Sequence, residues 1–233
     1  MCSEPAVVPP LPIDPPLSAL EARVLGCLIE KELTTPDVYP LTLNALVNAC
    51  NQRNNRAPLL SVGASEVELA LEQLRHKQLV THFAGADARV AKFKQRIDDV
   101  FPMETAARAM LGELLLRGPQ TSAGLRGNSE RMGAMPDLAE IEVILAELAA
   151  RPAGAIVRKL PRQPGQKEAR WTQLLTGEPA TGALEATGAG GVTEPLTVAV
   201  TLPPEAERRI AALETEVAAL RTELNQLREA LGS

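Results

Sequence analysis

Two stretches of this chain are copies of one another. Val24-Leu25-Gly26-Cys27-Leu28 returns 86 residues later as Met110-Leu111-Gly112-Glu113-Leu114. Val67-Glu68-Leu69-Ala70-Leu71-Glu72-Gln73-Leu74 returns 74 residues later as Ile141-Glu142-Val143-Ile144-Leu145-Ala146-Glu147-Leu148. The second copy therefore keeps the order of elements and is 12 residues shorter between its first and last helices. In both, the last helix is expected to run into a strand, a turn and a second strand, the helix-helix-helix-hairpin order of a winged helix. The predicted fold is α+β and mostly helical, two tandem winged helices followed by a linker and a coiled-coil helix. Such an architecture points to binding rather than catalysis.

Each copy has roughly 75 to 80 residues, near the lower limit for a self-sufficient core. Residues 1 to 97 carry 10 Lys/Arg and 10 Asp/Glu, residues 98 to 176 carry 10 and 10, and residues 177 to 233 carry 4 and 9. The net charge of −5 thus belongs to the tail, and both copies are free to carry local basic patches. Cys2, Cys27 and Cys50 have no Cys-x-x-Cys spacing, which favours a reducing compartment, and the cytoplasm is the expected location. Residues 1–16 are broken by Pro5, Pro9, Pro10, Pro12, Pro15 and Pro16 and read as a disordered leader rather than a signal peptide. No apolar run approaches the roughly 20 residues that span a bilayer, so no membrane partner is expected.

The first winged helix is expected over residues 17–97. Its first helix starts at Ser18, with Glu21 completing a capping box, and runs to about Leu33. A second helix starts near Pro40 to Thr42 and is expected to reach Asn55, and a third spans Ser65 to about Gln78. Leu79 to Phe83 and Arg89 to Lys94 form the predicted first wing. The second winged helix, residues 98–176, has helices at Met103 to Leu116, from Thr121, and at Asp137 to Ala149. Ala155 to Leu160 and Ala169 to Leu174 form its wing around Pro164-Gly165. Residues 177–202 are rich in Gly, Ala, Thr and Pro and read as a flexible linker, and residues 203–233 as a coiled-coil helix.

Leu46-Val47-Asn48-Ala49-Cys50-Asn51-Gln52-Arg53-Asn54-Asn55-Arg56, Leu115-Leu116-Arg117-Gly118-Pro119-Gln120-Thr121 and Leu160-Pro161-Arg162-Gln163-Pro164-Gly165-Gln166-Lys167-Glu168 resemble the signature stretches of the YceH-like bacterial proteins. The resemblance covers about residues 17 to 176. It implies a tandem winged-helix fold, and no reaction or ligand.

Residues for catalysis are scarce. His76 and His82 are the only histidines and stand far in sequence from the cysteines, no Gly-rich phosphate loop precedes a helix, and no cofactor is expected. Cys50 reads as a small core residue in preference to a reactive thiol. Two features suggest binding. Asn44, Asn48, Asn51 and Asn55, spaced 4, 3 and 4 apart, would share one face of the second helix beside Arg53 and Arg56 and could serve a partner surface. The competing reading is that these amides brace the loop from Asn54 to Val62. Arg89, Lys92 and Lys94 on the first wing, and Arg158, Lys159, Arg162, Lys167 and Arg170 on the second, are placed to meet duplex DNA through its phosphates. Against base readout, the third helices open Ser65-Glu66-Val67-Glu68 and Asp137-Leu138-Ala139-Glu140, where carboxylates would face phosphates.

In the tail, Ile210, Leu213, Val217, Leu220, Leu224, Leu227 and Leu231 alternate spacings of 3 and 4. Ile, Val, Leu and Leu fall at a and Leu at each d, a choice that favours two parallel strands. Parallel pairing also sets Arg209 against Glu214, Glu216 against Arg221 and Glu223 against Arg228, all attractive, and the alternative is a helix folded back on its own body. The leading expectation is a non-enzymatic, homodimeric, cytoplasmic protein that is DNA-associated or regulatory through its wings. The second is a dimeric scaffold whose winged helices dock a protein partner.

Overall fold

A computed structural model describes residues 12–83, 90–162 and 165–179. The first helix, α1 (Ala19–Thr34), begins where Ser18 caps it: Glu21 N donates to Ser18 Oγ at 3.2 Å and Ser18 N donates to Glu21 Oε2 at 2.9 Å. A single 3-10 turn (Pro36–Val38) leads to the two-residue strand β1 (Leu41–Thr42) and to α2 (Leu43–Cys50), capped by the Thr42 hydroxyl. Then come α3 (Ala64–His76), the hairpin of β2 (Val80–Phe83) and β3 (Lys92–Gln95), and the short α4 (Ile97–Val100). The second copy follows as α5 (Thr105–Arg117), α6 (Ser122–Ser129), a 3-10 turn (Glu130–Met132), α7 (Leu138–Ala149), β4 (Val157–Lys159) and β5 (Trp171–Gln173). The fold is α+β, mostly helical, with two small antiparallel sheets.

The two copies share their strand pairing as well as their order of elements. In the first, Leu41 pairs with Phe93, so β1 joins the hairpin in the order β1-β3-β2. In the second, Gln120 forms an isolated bridge to Trp171 of β5. Each of these residues directly precedes a threonine, Thr42 or Thr121, whose hydroxyl caps the following helix. The bridge thus fixes where the second helix starts in both copies. The 12-residue deficit also resolves into two parts. The second helices lie 79 residues apart, so seven residues are lost before α6, where the second copy has no counterpart of the Pro36–Val38 turn, and five after it.

The copies pack through α1 and α5, and the repeated Leu-Gly pair is what lets them approach. A Cβ added to Gly26 would stand 3.1 Å from Leu115 Cβ, and one added to Gly112 would stand 2.8 Å from Ile29 Cγ2. Gly112 follows Gly26 by 86 residues and Leu115 follows Ile29 by 86, so the contact is reciprocal, as in an interface with two-fold symmetry. Around it Val24, Leu25, Leu28, Met110, Leu111 and Leu114 form a shared core.

Three expectations change. The second helix does not reach Asn55 but stops at Cys50. Beyond it Asn51 turns its amide to the opposite strand of the loop, donating from Nδ2 to Val62 O at 2.8 Å and accepting from Val62 N at 2.9 Å. Asn55 has φ 57°, the left-handed region Asn tolerates better than most residues, and that ends any helical path. The expected leader is shorter than residues 1–16, because Ile13 packs on the core and the Pro16 carbonyl accepts from Lys77 Nζ. Finally, β1 and α4 form although neither has a periodic sequence of useful length. Among the described residues no helix is long and apolar enough to cross a membrane.

Candidate functional site

The third helices present matching faces. In α3, Val67, Ala70, Leu71 and Leu74 turn inward, and in α7, Ile141, Leu145 and Leu148 do the same. Leu69 and Val143 lie across each helix from those lines and are 60% and 56% exposed. They occupy equivalent positions, 74 residues apart. Each has a carboxylate on the same open face: Glu66 and Glu72 beside Leu69, Glu140 and Glu147 beside Val143. Leu138 adds to the apolar surface of α7, a helix that contains no Lys, Arg, Asn or Gln. An isolated exposed leucine is unremarkable, whereas the same apolar residue at the same place on two copies is a pattern.

The expected wing cations divide into two groups. On the second wing, Arg158 forms an ion pair with Glu178, and Lys159 one with Glu142 at 2.9 Å. The Lys159 ammonium also stands 5.2 Å from the centroid of the Trp171 ring. Glu142 is further engaged by the Ser122 hydroxyl, which itself accepts from Trp171 Nε1 at 3.1 Å. Burial acts to raise the Glu142 carboxyl, but the Ser122 and Lys159 hydrogen bonds outweigh it and hold the group below the usual carboxylate range. Lys159 is therefore part of a chain tying β4 to α6 and α7. Arg162 donates only to the Gln166 carbonyl, at 3.4 Å, Lys167 is exposed, and Arg170 is half-buried. On the first wing Lys94 is exposed and Lys92 half-buried, while Arg89 lies outside the described residues.

The asparagine stripe does not exist as a surface. Asn44 and Asn48 are exposed on α2, but Asn51 braces the loop at Val62 and Asn55 lies in the loop itself, where its Oδ1 accepts from Arg117 Nη1 at 3.5 Å. Arg53 is exposed. Arg56, expected on the partner surface, is 6% exposed and belongs to the interior. It grips Glu30 with two bonds, Nη1 to Oε1 at 3.1 Å and Nη2 to Oε2 at 2.6 Å, and donates from Nε to the Ala49 carbonyl. The tail residues Ile210, Leu213, Val217, Leu220, Leu224, Leu227 and Leu231 lie outside the described residues.

Arg56 opens onto an ionic chain that sequence reasoning missed. Glu30 Oε1 also accepts from Arg131 Nη2 at 2.7 Å, and Arg131 Nη1 donates to Glu113 Oε2 at 2.7 Å. Arg117 Nε stands 3.4 Å from Glu113 Oε1. The chain runs from the first copy, Arg56 and Glu30, to the second, Arg131, Glu113 and Arg117. Burial acts to raise Glu30, but hydrogen bonds from Arg56 and Arg131 outweigh it and hold the carboxyl below the usual carboxylate range. Two charged residues on inward-facing turns of α1 and α5 were the available signal. Glu30 lies one residue after Ile29, and Glu113 replaces Cys27 of the first copy, at positions where the helical period predicts burial.

Residues 17–166 match the DUF480 family, described as a protein of unknown function. A UPF0502 protein of Citrifermentans bemidjiense is 52% identical over 178 residues, 75% of this chain and 82% of its own length. Another from Geobacter sulfurreducens is 45% identical over 208 residues, 86% of this chain and 88% of its own length. A third, from Aeromonas hydrophila, is 42% identical over 220 residues, 92% of this chain and 96% of its own length.

Proposed function

The chain belongs to the DUF480 family of uncharacterised bacterial proteins, and from that premise we propose that it is a non-enzymatic docking protein, two winged helices in tandem that present their third helices to a protein partner. The observation that carries the reading is the exposure of Leu69 and Val143 at equivalent places, each flanked by carboxylates. In a DNA reader this helix enters the major groove, and an apolar, acidic helix is repelled there. A protein partner would cover the apolar residues and match the carboxylates with its own cations. The coiled-coil tail, in this reading, pairs two such bodies in parallel.

The test is affinity capture from nuclease-treated lysate with the full chain and with a Leu69→Arg, Val143→Arg variant. A protein recovered in stoichiometric amount by the first and lost by the second is the expected result. Recovery of nucleic acid alone, or of the same protein by both, rejects the reading.

A second reading, phosphate contact by the wings, is favoured by Lys94, Arg162 and Lys167, which make no ion pair among the described residues. Its signature is binding to arbitrary duplex DNA whose log affinity falls with log salt by about 0.9 per phosphate contacted. Fluorescence anisotropy at low salt decides it.

A further inference from the structure

We propose that Cys27 and Cys50 form a redox-active dithiol, which a peroxide closes to a disulfide joining α1 to α2. Both thiols are free and fully buried, Cys27 in the middle of α1 and Cys50 as the last residue of α2. They touch, the Cys50 thiol donating a hydrogen bond to the Cys27 sulfur. The Arg56 guanidinium also donates to the Cys27 sulfur while holding Glu30.

The decisive neighbour is Arg23, one helical turn before Cys27 and 3% exposed. It donates from Nη1 to the Cys50 carbonyl at 3.2 Å and from Nη2 to the Pro58 carbonyl at 2.6 Å, and its buried Nε has no hydrogen-bond partner among the described residues. No carboxylate pairs with it there. The buried cluster sets the guanidiniums of Arg23, Arg56, Arg131 and Arg117 against only the carboxylates of Glu30 and Glu113. A dehydrated cation without an anion is costly, and a Cys27 thiolate is the anion this interior can supply. Burial acts to raise Cys27, but the bond from Cys50 and the charges of Arg56 and Arg23 hold it below an ordinary thiol. Cys50, donating to Cys27 and buried, is pushed far above one. The two sulfurs are thus unequal, one poised to attack and the other to follow.

The chemistry closes with hydrogen peroxide as oxidant. The Cys27 thiolate attacks one peroxide oxygen, the O–O bond breaks, and hydroxide leaves, giving a sulfenic acid. The Cys50 sulfur then attacks the Cys27 sulfur. The S–S bond forms as the S–O bond breaks, and the departing hydroxide takes the Cys50 proton as water. Two thiols are oxidised by two electrons and one peroxide is reduced to two waters. Arg23, Ala57 and Pro58 line a surface depression of about 390 Å³, a route for a small uncharged oxidant to the edge of the cluster.

The test uses the full chain carrying Cys2→Ser, reduced, exposed to hydrogen peroxide, quenched and digested with trypsin. The bond would join peptides 24–31 and 32–53, which contain Cys27 and Cys50. The expected result is that linked pair, formed at least about tenfold faster in the folded chain than in urea. With Cys50→Ser, dimedone should mark Cys27. With Cys27→Ser, Cys50 should stay unmarked. Thiols that remain alkylatable in the folded chain, a link that forms no faster folded than unfolded, or a dimedone adduct on Cys50 would each overturn the proposal.

Discussion

Glu30 does more for this protein than any other single charged residue, because it accepts from Arg56 of its own copy and Arg131 of the other. A buried carboxylate pays its desolvation only through such partners, and removing it leaves two guanidiniums facing each other. Glu30→Gln should therefore lower stability by about 3 to 5 kcal/mol, read from the urea unfolding midpoint. The pH dependence follows from the same bonds. The folded carboxyl is held below its unfolded value of 4.5, so its contribution is complete above that value and is lost as pH falls toward the folded one. The unsubstituted chain should lose stability on acidification below about pH 5 more steeply than Glu30→Gln does. Equal slopes would show that other carboxylates govern acid unfolding.

At the scale of elements, the glycines of α5 and α6 separate two roles that look alike in sequence. Gly112 touches Ile29 across the α1 and α5 crossing, where a Cβ would meet a branched side chain with no room to swing away. Gly127 lies exposed in α6, and a Cβ there would meet nothing within 4 Å. Gly112→Ala should destabilise by about 1 to 3 kcal/mol through overpacking. Gly127→Ala should stabilise by about 0.5 to 1 kcal/mol through helix propensity alone. Thermal melts of the two variants, shifting in opposite directions, check both. The helix ends obey local chemistry, with Ser18, Thr42, Thr121 and Asp137 all capping where their positions predict.

For the whole molecule, the reciprocal packing of α1 on α5 and the ionic chain beside it make the two copies one body, so their third helices are held in a fixed relation. A partner that engages both would gain from that fixed spacing. The tail adds valency of another kind if its heptads pair. Light scattering should show a dimer that becomes monomeric when residues 203–233 are deleted, or with Val217→Lys and Leu220→Lys. A dimer that survives both changes would place the interface on the helical body.

The amino-acid sequence determined the repeat, the order of helices and hairpins, the caps and the buried faces, because these depend on periodicity and on residues within one turn of each other. Leu69 and Val143 could be aligned from sequence, but their shared exposure depends on what packs against α3 and α7. Tertiary structure decided where α2 ends, since Asn51 chose Val62, 11 residues away, over another helical turn. It also decided which arginines are surface and which are core. Arg53 and Arg56 are three residues apart in one basic segment, yet Glu30 draws only Arg56 inside. Charge in a sequence has no address until a distant carboxylate supplies one, and the contacts of Arg23 with Cys50 and of Arg131 with Glu30 span 27 and 101 residues.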